Sequence, residues 1–444
     1  MRTLNRRAFL SGITAALLAG SGVRARAEYV TRPNVVFIMA DDLGYGDLGC
    51  YGGKTPTPQI DALAAGGVRF TDYHSNGAVC TPTRAALMTG RYQQRCGINQ
   101  VFRAEGRGDG EGLPHTTPML PEVLRASGYA TALFGKWHLG YAAAFNPTKY
   151  GFDTFRGFVS GNIDYQSHVD GAGAADWWNG DQLESEPGYL TDLIAKHSVE
   201  FIRANAARPF FLSVMHGAVH TPFQGRTDKS FREADKPSPG AGPRSDKAAA
   251  YAEMLTALDD SVGAIVGALR DANVLENTLV VFCSDNGATG VGSNGVLSGK
   301  KGGVLEGGHR VPAIAYWPGR IEPGVRDGLA MTMDWYPTIA SLCKTPVPEG
   351  LALDGVTIER HLFNAEPTPV RTVFWRTKAN NGERAARRGV WKLVLREEGE
   401  ALYNVVDDIR ETKNVIGEQV GIAGELSAAL KAWEASFAEV RVIS

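Results

Sequence analysis

Two pairs of adjacent oxygen-bearing side chains follow apolar runs: Asp41-Asp42 after Asn34–Ala40, and Asp285-Asn286 after Thr278–Ser284. Consecutive carboxylates repel each other, and a hard divalent cation offsets that cost because carboxylate and amide oxygens are its preferred ligands. Alone, Asp-Asp after a strand serves as a helix cap or turn more often than as a ligand pair, and Asp-Asn-Gly is an ordinary turn signal. Both pairs standing at strand ends favour the metal, and oxygen-only donors favour Ca²⁺ or Mg²⁺ over zinc. A third candidate is Cys80, in the run Val79-Cys80-Thr81-Pro82-Thr83-Arg84-Ala85-Ala86-Leu87-Met88-Thr89-Gly90-Arg91. Thr81 is suited to cap a helix that starts at Pro82. Cys80 then lies at a helix N-terminus, where free N–H groups and the dipole favour an anion. Arg84, one turn on, directs a fixed positive charge to the same place. For the cysteine by itself, a buried structural residue that happens to precede a helix is the simpler reading.

The elements that must position these groups are visible as apolar runs ending abruptly in polar residues. Besides the two above, Pro209–Met215 ends near His216 and His220, and Tyr129–Phe134 ends at Lys136 and His138. Runs of this length bounded by turn residues predict buried strands. Helical patterns fall between them at Leu120–Ala126, Leu190–Ala204 and Ala248–Leu269. The alternation predicts an α/β fold, a large mixed but mostly parallel sheet flanked by helices. In such sheets ligands bind beyond the carboxyl ends of strands, and four polar strand ends point to one shared site. Residues 28–345 are assigned to this part. After a proline-rich linker, Lys344–Gly350, residues 346–444 are assigned to a smaller C-terminal α+β domain, with strands at Thr372–Arg376 and Val390–Leu395 and a helix from Gly421 to Phe437. Gly225–Arg244 is expected to be a long surface loop.

Composition excludes several classes. The chain has 444 residues, 43% hydrophobic and 21% charged, with a formal net charge of −2. Nothing there draws it to nucleic acid or an anionic membrane. Five scattered cysteines are too few for a disulfide framework. Residues 1–27 are expected to be a targeting signal: Asn5-Arg6-Arg7-Ala8-Phe9-Leu10 looks like the twin-arginine export motif, and Ala25-Arg26-Ala27 supplies small residues for cleavage. No later run is long and apolar enough to span a bilayer. The expectation is a periplasmic or secreted protein of bacterial type, carried by the twin-arginine machinery.

Cys80-x-Pro82-x-Arg84, followed by Ala85-Ala86-Leu87-Met88-Thr89-Gly90-Arg91, resembles the sulfatase signature, in which the cysteine is oxidised to formylglycine. The resemblance continues through Asn34–Gly46, Gly135-Lys136-Trp137-His138-Leu139-Gly140, His220-Thr221-Pro222, Ser284–Gly287 and Lys301–Pro312. Trp391-Lys392-Leu393 and Leu402-Tyr403-Asn404 are similar to that family's small domain. It implies an alkaline phosphatase-like fold and a sulfuric ester hydrolase of the cysteine type, acting on aryl sulfate or sulfated carbohydrate. It also implies these roles: Asp41, Asp42, Asp285 and Asn286 hold the metal, usually calcium, and modified Cys80 completes its shell. Arg84 and Lys136 would steady the hydrated aldehyde and His138 would bond one of its hydroxyls. His220 and Lys301 would grip the sulfate and bridging oxygen, with His220 the general acid. Ser160 aligns loosely with a further hydroxyl ligand, and His216 is taken as structural or peripheral. A formylglycine-generating enzyme is the implied maturation partner.

Two other functions fit parts of the pattern. A phosphonate monoester or phosphodiester hydrolase shares the fold and metal, and its substrate carries a similar charge. If Cys80 stays unmodified, a non-catalytic sulfate- or glycan-binding protein results. Substrate choice is expected in variable loops, namely Asn162–Trp178, where Trp177 and Trp178 would stack on a sugar ring or else pack internally, and Trp375–Arg388.

Overall fold

The computed structural model describes residues 32–103, 111–379 and 382–442; the export segment expected at residues 1–27 lies outside them. In chain order the first strands are β1 (Asn34–Ala40), β2 (Val68–Phe70), β3 (Tyr73–His74), β4 (Ala130–Lys136), β5 (Thr154–Phe158), β6 (Trp178–Asn179), β7 (Gln182–Leu183) and β8 (Phe210–Met215). They are followed by β9 (Thr278–Ser284), β10 (Ala313–Tyr316), β11 (Gly324–Arg326), β12 (Ala330–Met331), β13 (Thr372–Arg376), β14 (Arg384–Arg388), β15 (Trp391–Arg396) and β16 (Gly399–Asn404). The helices are α1 (Pro58–Gly66), α2 (Cys80–Thr89), α3 (Leu120–Ala126), α4 (Leu190–Asn205), α5 (Lys247–Asp271), α6 (Glu306–His309), α7 (Trp335–Leu342), α8 (Glu359–Asn364) and α9 (Val420–Ala435).

Ten strands form one sheet in the order β11-β2-β10-β9-β1-β8-β4-β5-β6-β7. Its central five, β9-β1-β8-β4-β5, are parallel throughout, and antiparallel strands join at both sides. Every residue of β1 is buried, as a strand without a polar face must be when helices cover both sides. Val36, Ile38 and Ala40 join the core under α4 and α5. On the other face Phe37 meets Trp335 of α7 edge-on, ring centroids 6.0 Å apart. The strong apolar runs therefore become the middle of the sheet, as their sequence predicts. Among the described residues no helix is long and apolar enough to cross a membrane.

The C-terminal part is a four-stranded antiparallel sheet, β13-β14-β15-β16, with α9 packed on it through Leu426, Leu430 and Trp433. Two of its strands were not expected. β14 reads Arg-Ala-Ala-Arg-Arg, and its Arg387 is nevertheless buried because it pairs with the Asp72 carboxylate through two 2.7 Å hydrogen bonds. Periodicity cannot anticipate a charged residue whose burial depends on a partner over three hundred positions away.

Candidate active site

Register assembles the site. β1 and β9 pair in parallel with Ala40 opposite Ser284, so Asp41-Asp42 and Asp285-Asn286 leave the sheet side by side. Asp42, at φ 60, donates its N–H to Asp285 Oδ1 at 3.2 Å, and Asn286 Nδ2 donates to Asp42 Oδ1 at 2.8 Å. That leaves Asn286 Oδ1 buried with no hydrogen-bond partner. An acceptor stranded in this way is costly unless a cation occupies the space before it.

α2 begins at Cys80, two residues before the expected start at Pro82, and all ten of its residues are buried. Thr81 is not its cap; the Thr81 hydroxyl instead donates to the His138 carbonyl at 3.1 Å, tying α2 to the loop after β4. Cys80 Sγ lies 3.4 Å from Asp41 Oδ1 and 3.5 Å from Lys301 Nζ. Arg84 reaches Asp285 Oδ2 with Nε at 3.2 Å and Nη2 at 2.8 Å, and its Nη1 donates to the Lys136 carbonyl. Lys136 Nζ stands 2.6 Å from Asp41 Oδ2, and Lys301 Nζ 2.6 Å from Asp42 Oδ1. His220 Nε2 is 3.6 Å from Asp42 Oδ2. Ligand atoms of Asp41, Asp42, Cys80 and His220 all lie within 4.8 Å of one another. Three buried carboxylates thus face three fixed cations, with oxygen donors converging and one amide oxygen idle. This donor set fits a hard divalent cation.

The electrostatics follow from burial first. Burial and the adjacent Asp41 raise the Asp285 carboxyl to about 6, against the pull of Arg84. Burial opposes the Asp42 charge too, but Lys301 and His220 outweigh it and hold that carboxyl below its usual range. Burial, with Asp41 next, pushes the Cys80 thiol up. A cysteine so placed is not a thiolate near neutral pH, and as a bare thiol it is a poor nucleophile. Burial is likewise the main cause that lowers His220 to about 3. His220 Nδ1 donates to the Thr221 carbonyl at 2.9 Å, leaving Nε2 as the free nitrogen toward Asp42. His138 is held well below its ordinary value by burial and by Lys136. Its Nε2 donates to the Phe102 carbonyl at 2.9 Å, and its Nδ1 is buried without a partner.

Each expected site residue thus has a place, and Asp41, Asp42, Cys80, Arg84, Lys136, His220, Asp285, Asn286 and Lys301 are linked by direct contacts. His138 joins through Thr81. Ser160 is buried nearby but turned to its own loop: its N–H donates to Asp176 Oδ2 and its hydroxyl to the Asn162 carbonyl. His216 bonds Ser261 of α5. Of the two tryptophans expected to face a sugar or pack internally, Trp177 is buried against His168 and His197, while Trp178 is half-buried and donates its Nε1–H to Asp176 Oδ1 at 2.7 Å. In the second expected segment, Trp375 stacks on His309 at 4.0 Å. Beside the site lies a cavity of ≈ 150 Å³ lined by Val79, Gln100, Val101, Gly302, Thr377 and Lys378, among others. The Asn99–Val101 share of that wall had no signal in the sequence beyond proximity to the Cys80 segment.

The family model described as Sulfatase matches residues 33–345. Human arylsulfatase A is 35% identical over 90% of this chain and 86% of its own length. Pig N-acetylgalactosamine-6-sulfatase is 34% identical over 80% of this chain and 70% of that protein. Among solved structures, Ps i-CgsB in complex with k-i-k-neocarrahexaose superposes with a TM-score of 0.82 at 30% identity, covering 91% of this chain and 93% of that one.

Proposed function

The chain belongs to the sulfatase family, and from that premise we propose that it hydrolyses a sulfate monoester with a formylglycine made from Cys80 beside a calcium ion. Together the formylglycine hydrate and the divalent ion supply what the unmodified side chains lack, an oxygen nucleophile available near neutral pH. Asp41, Asp42, Asp285 and Asn286 hold the ion, and the unpartnered Asn286 Oδ1 supports that assignment. Arg84 fixes Asp285 through two hydrogen bonds to one oxygen. Lys136 and Lys301 neutralise charge on the sulfate oxygens as the bond to the leaving oxygen breaks. His138, neutral and with Nδ1 free, would be the base for a hydroxyl of the modified Cys80. His220, whose Nε2 faces the site, would be the general acid toward the departing alcohol after the anionic ester beside it favours uptake of a second ring proton at Nε2. With three cations already balancing three carboxylates, a divalent ion leaves an excess of positive charge that suits an anionic ester.

The observation that carries this reading is the position of Cys80: buried at a helix start, 3.4 Å from Asp41, with its thiol pushed up rather than ionised. A side chain 1% exposed is out of reach of a modifying enzyme, so the formylglycine-generating enzyme acts before the chain closes. Residues 1–27 then direct twin-arginine export to the periplasm or beyond. For substrate, sulfated carbohydrate is the class favoured by the similarity to a chain bound to neocarrahexaose and to an N-acetylgalactosamine-6-sulfatase.

Turnover of 4-nitrophenyl sulfate should far exceed that of bis-4-nitrophenyl phosphate, and the Cys80 peptide should weigh less than its cysteine form by the difference expected for formylglycine. Dominant phosphodiester turnover would reassign the reaction. An unaltered thiol in active protein would remove the proposed nucleophile.

A further inference from the structure

Behind the site lies a second buried charge cluster in which the C-terminal sheet meets α6. Lys392 of β15, with a fully buried side chain, places its Nζ 2.8 Å from Glu306 Oε1 and 2.9 Å from Glu411 Oε1. Arg310 Nη1 takes the other oxygen of Glu306 at 3.0 Å, and Arg387 pairs with Asp72. His74, Glu306 and His309 bring three ligand atoms together. Yet Lys392 Nζ is also 3.2 Å from His309 Nε2, so the ammonium takes the place a metal would need. Three carboxylates and three cations are balanced here, at a location where apolar packing alone would hold two layers together. Buried ion pairs add little net stability over such packing but specify orientation where they are fully partnered.

What they orient is the active site's rear wall. Gly287, the residue after Asn286, donates its N–H to the Gly308 carbonyl of α6 at 3.0 Å. A Cβ on Gly287 would lie 1.8 Å from the Gly307 carbonyl oxygen, and one on Gly308 would lie 2.0 Å from that of Gly303. Gly307 N–H bonds the Ser298 carbonyl, and Lys301 N–H the Ala288 carbonyl. α6, the Asp285–Gly287 turn and the loop carrying Lys301 are therefore in backbone contact with no room to slide. Glu306, at the first position of α6, is the residue by which Lys392 grips that assembly, and Glu411 accepts the Glu306 N–H at 2.6 Å.

We propose that Lys392 is a positioning residue for the hydrolysis: through Glu306 and α6 it fixes Asn286 and Lys301, making the C-terminal sheet a working part of the active site. This rests on the reading of Asp42, Asn286 and Lys301 as the metal and sulfate site. The test uses full-length mature enzyme, wild type and K392M, stripped of metal with chelator and titrated with calcium by calorimetry, alongside steady-state turnover of 4-nitrophenyl sulfate. Loss of an outer support for metal ligands typically costs about 10- to 100-fold in affinity or activity. K392M is expected to lose about 10-fold in both calcium affinity and kcat/KM per folded molecule, and K392R to recover most of both. Equal calcium affinity and equal kcat/KM in K392M, with only its melting temperature lowered, would overturn the inference. If K392M yields no folded protein, E411Q, which loosens the same ammonium from its other side, decides on the same two readings. Wild-type protein that takes up no calcium would overturn the metal-site reading and this inference with it. Calcium bound by wild type and K392M with equal affinity, at equal kcat/KM, would overturn the inference alone.

Discussion

His138 has one ring nitrogen engaged and one idle, and the difference fixes its chemistry. Nε2 donates to the Phe102 carbonyl, Nδ1 is buried without a partner, and burial beside Lys136 keeps the ring neutral. A neutral imidazole held in one tautomer is ready to accept a proton at Nδ1, and a hard ion that prefers oxygen ligands has little use for that nitrogen. His138→Ala should therefore lower kcat by about 100-fold, the scale of a lost general base, while calcium uptake measured by calorimetry stays within error of wild type. A parallel loss of calcium affinity would place His138 in the metal shell instead. At this scale the sequence was most legible where identity itself is chemistry: Cys80 with Arg84, the two acidic pairs, and Lys136, His138, His220 and Lys301. It could not disclose which oxygen each cation grips, nor that Thr81 spends its hydroxyl on the His138 carbonyl instead of capping α2. Those depend on distances between strand ends that no local pattern encodes.

At the scale of elements, the long apolar runs that became β1, β4, β8 and β9 were legible because full burial on both faces leaves a continuous apolar string. Short strands such as β2, β3 and β10 and the charged β14 were not, since their burial comes from neighbours distant in sequence. The Trp177 and Trp178 segment was ambiguous for a related reason: an aromatic before a loop has the same signature whether it faces a sugar or His168. The contact that matters most for the site is the approach of the β9 turn to α6. Gly287→Ala places a methyl group 1.8 Å from the Gly307 carbonyl oxygen before any relaxation. Because the opposing atom is backbone, something must move, at a cost of about 1–3 kcal/mol. Urea denaturation should register that loss. Because the displaced turn carries Asn286, calcium affinity should weaken in the folded variant as well. Destabilisation with calcium affinity intact would show that the turn and the helix move together without disturbing the ligands.

Over the whole molecule a formal net charge of −2 means that global repulsion does little work at moderate pH, so acid sensitivity must arise from particular buried groups. Burial opposes ionisation of Asp72 and of Glu306, but Arg387 for the first and Lys392 for the second outweigh it, and both carboxyls are held below their ordinary values of 3.8 and 4.5. A carboxyl depressed in the folded chain binds its proton more readily once unfolded, so its contribution is complete above its ordinary value and fades as pH falls below it. Glu411 has the opposite sign. Burial raises it, so the folded chain takes up its proton first, and stability gains slightly as pH falls toward 4.5. Burial also depresses His74, His138, His216, His220 and His309. The unfolded chain protonates these first below about 6.5, and they outweigh Glu411, so the unfolding free energy should fall from about pH 6.5 downward and more steeply below about 4. Following the urea midpoint by tryptophan fluorescence from pH 7 to 3 tests this, since Trp375 stacks on His309 at the centre of the network. Asp72→Asn leaves Arg387 with no carboxylate of its own to pair with at that position; it should be less stable at neutral pH and lose less of what remains on acidification. An equally steep acid limb in Asp72→Asn and wild type would mean that the charges joining the two sheets are not what acid removes.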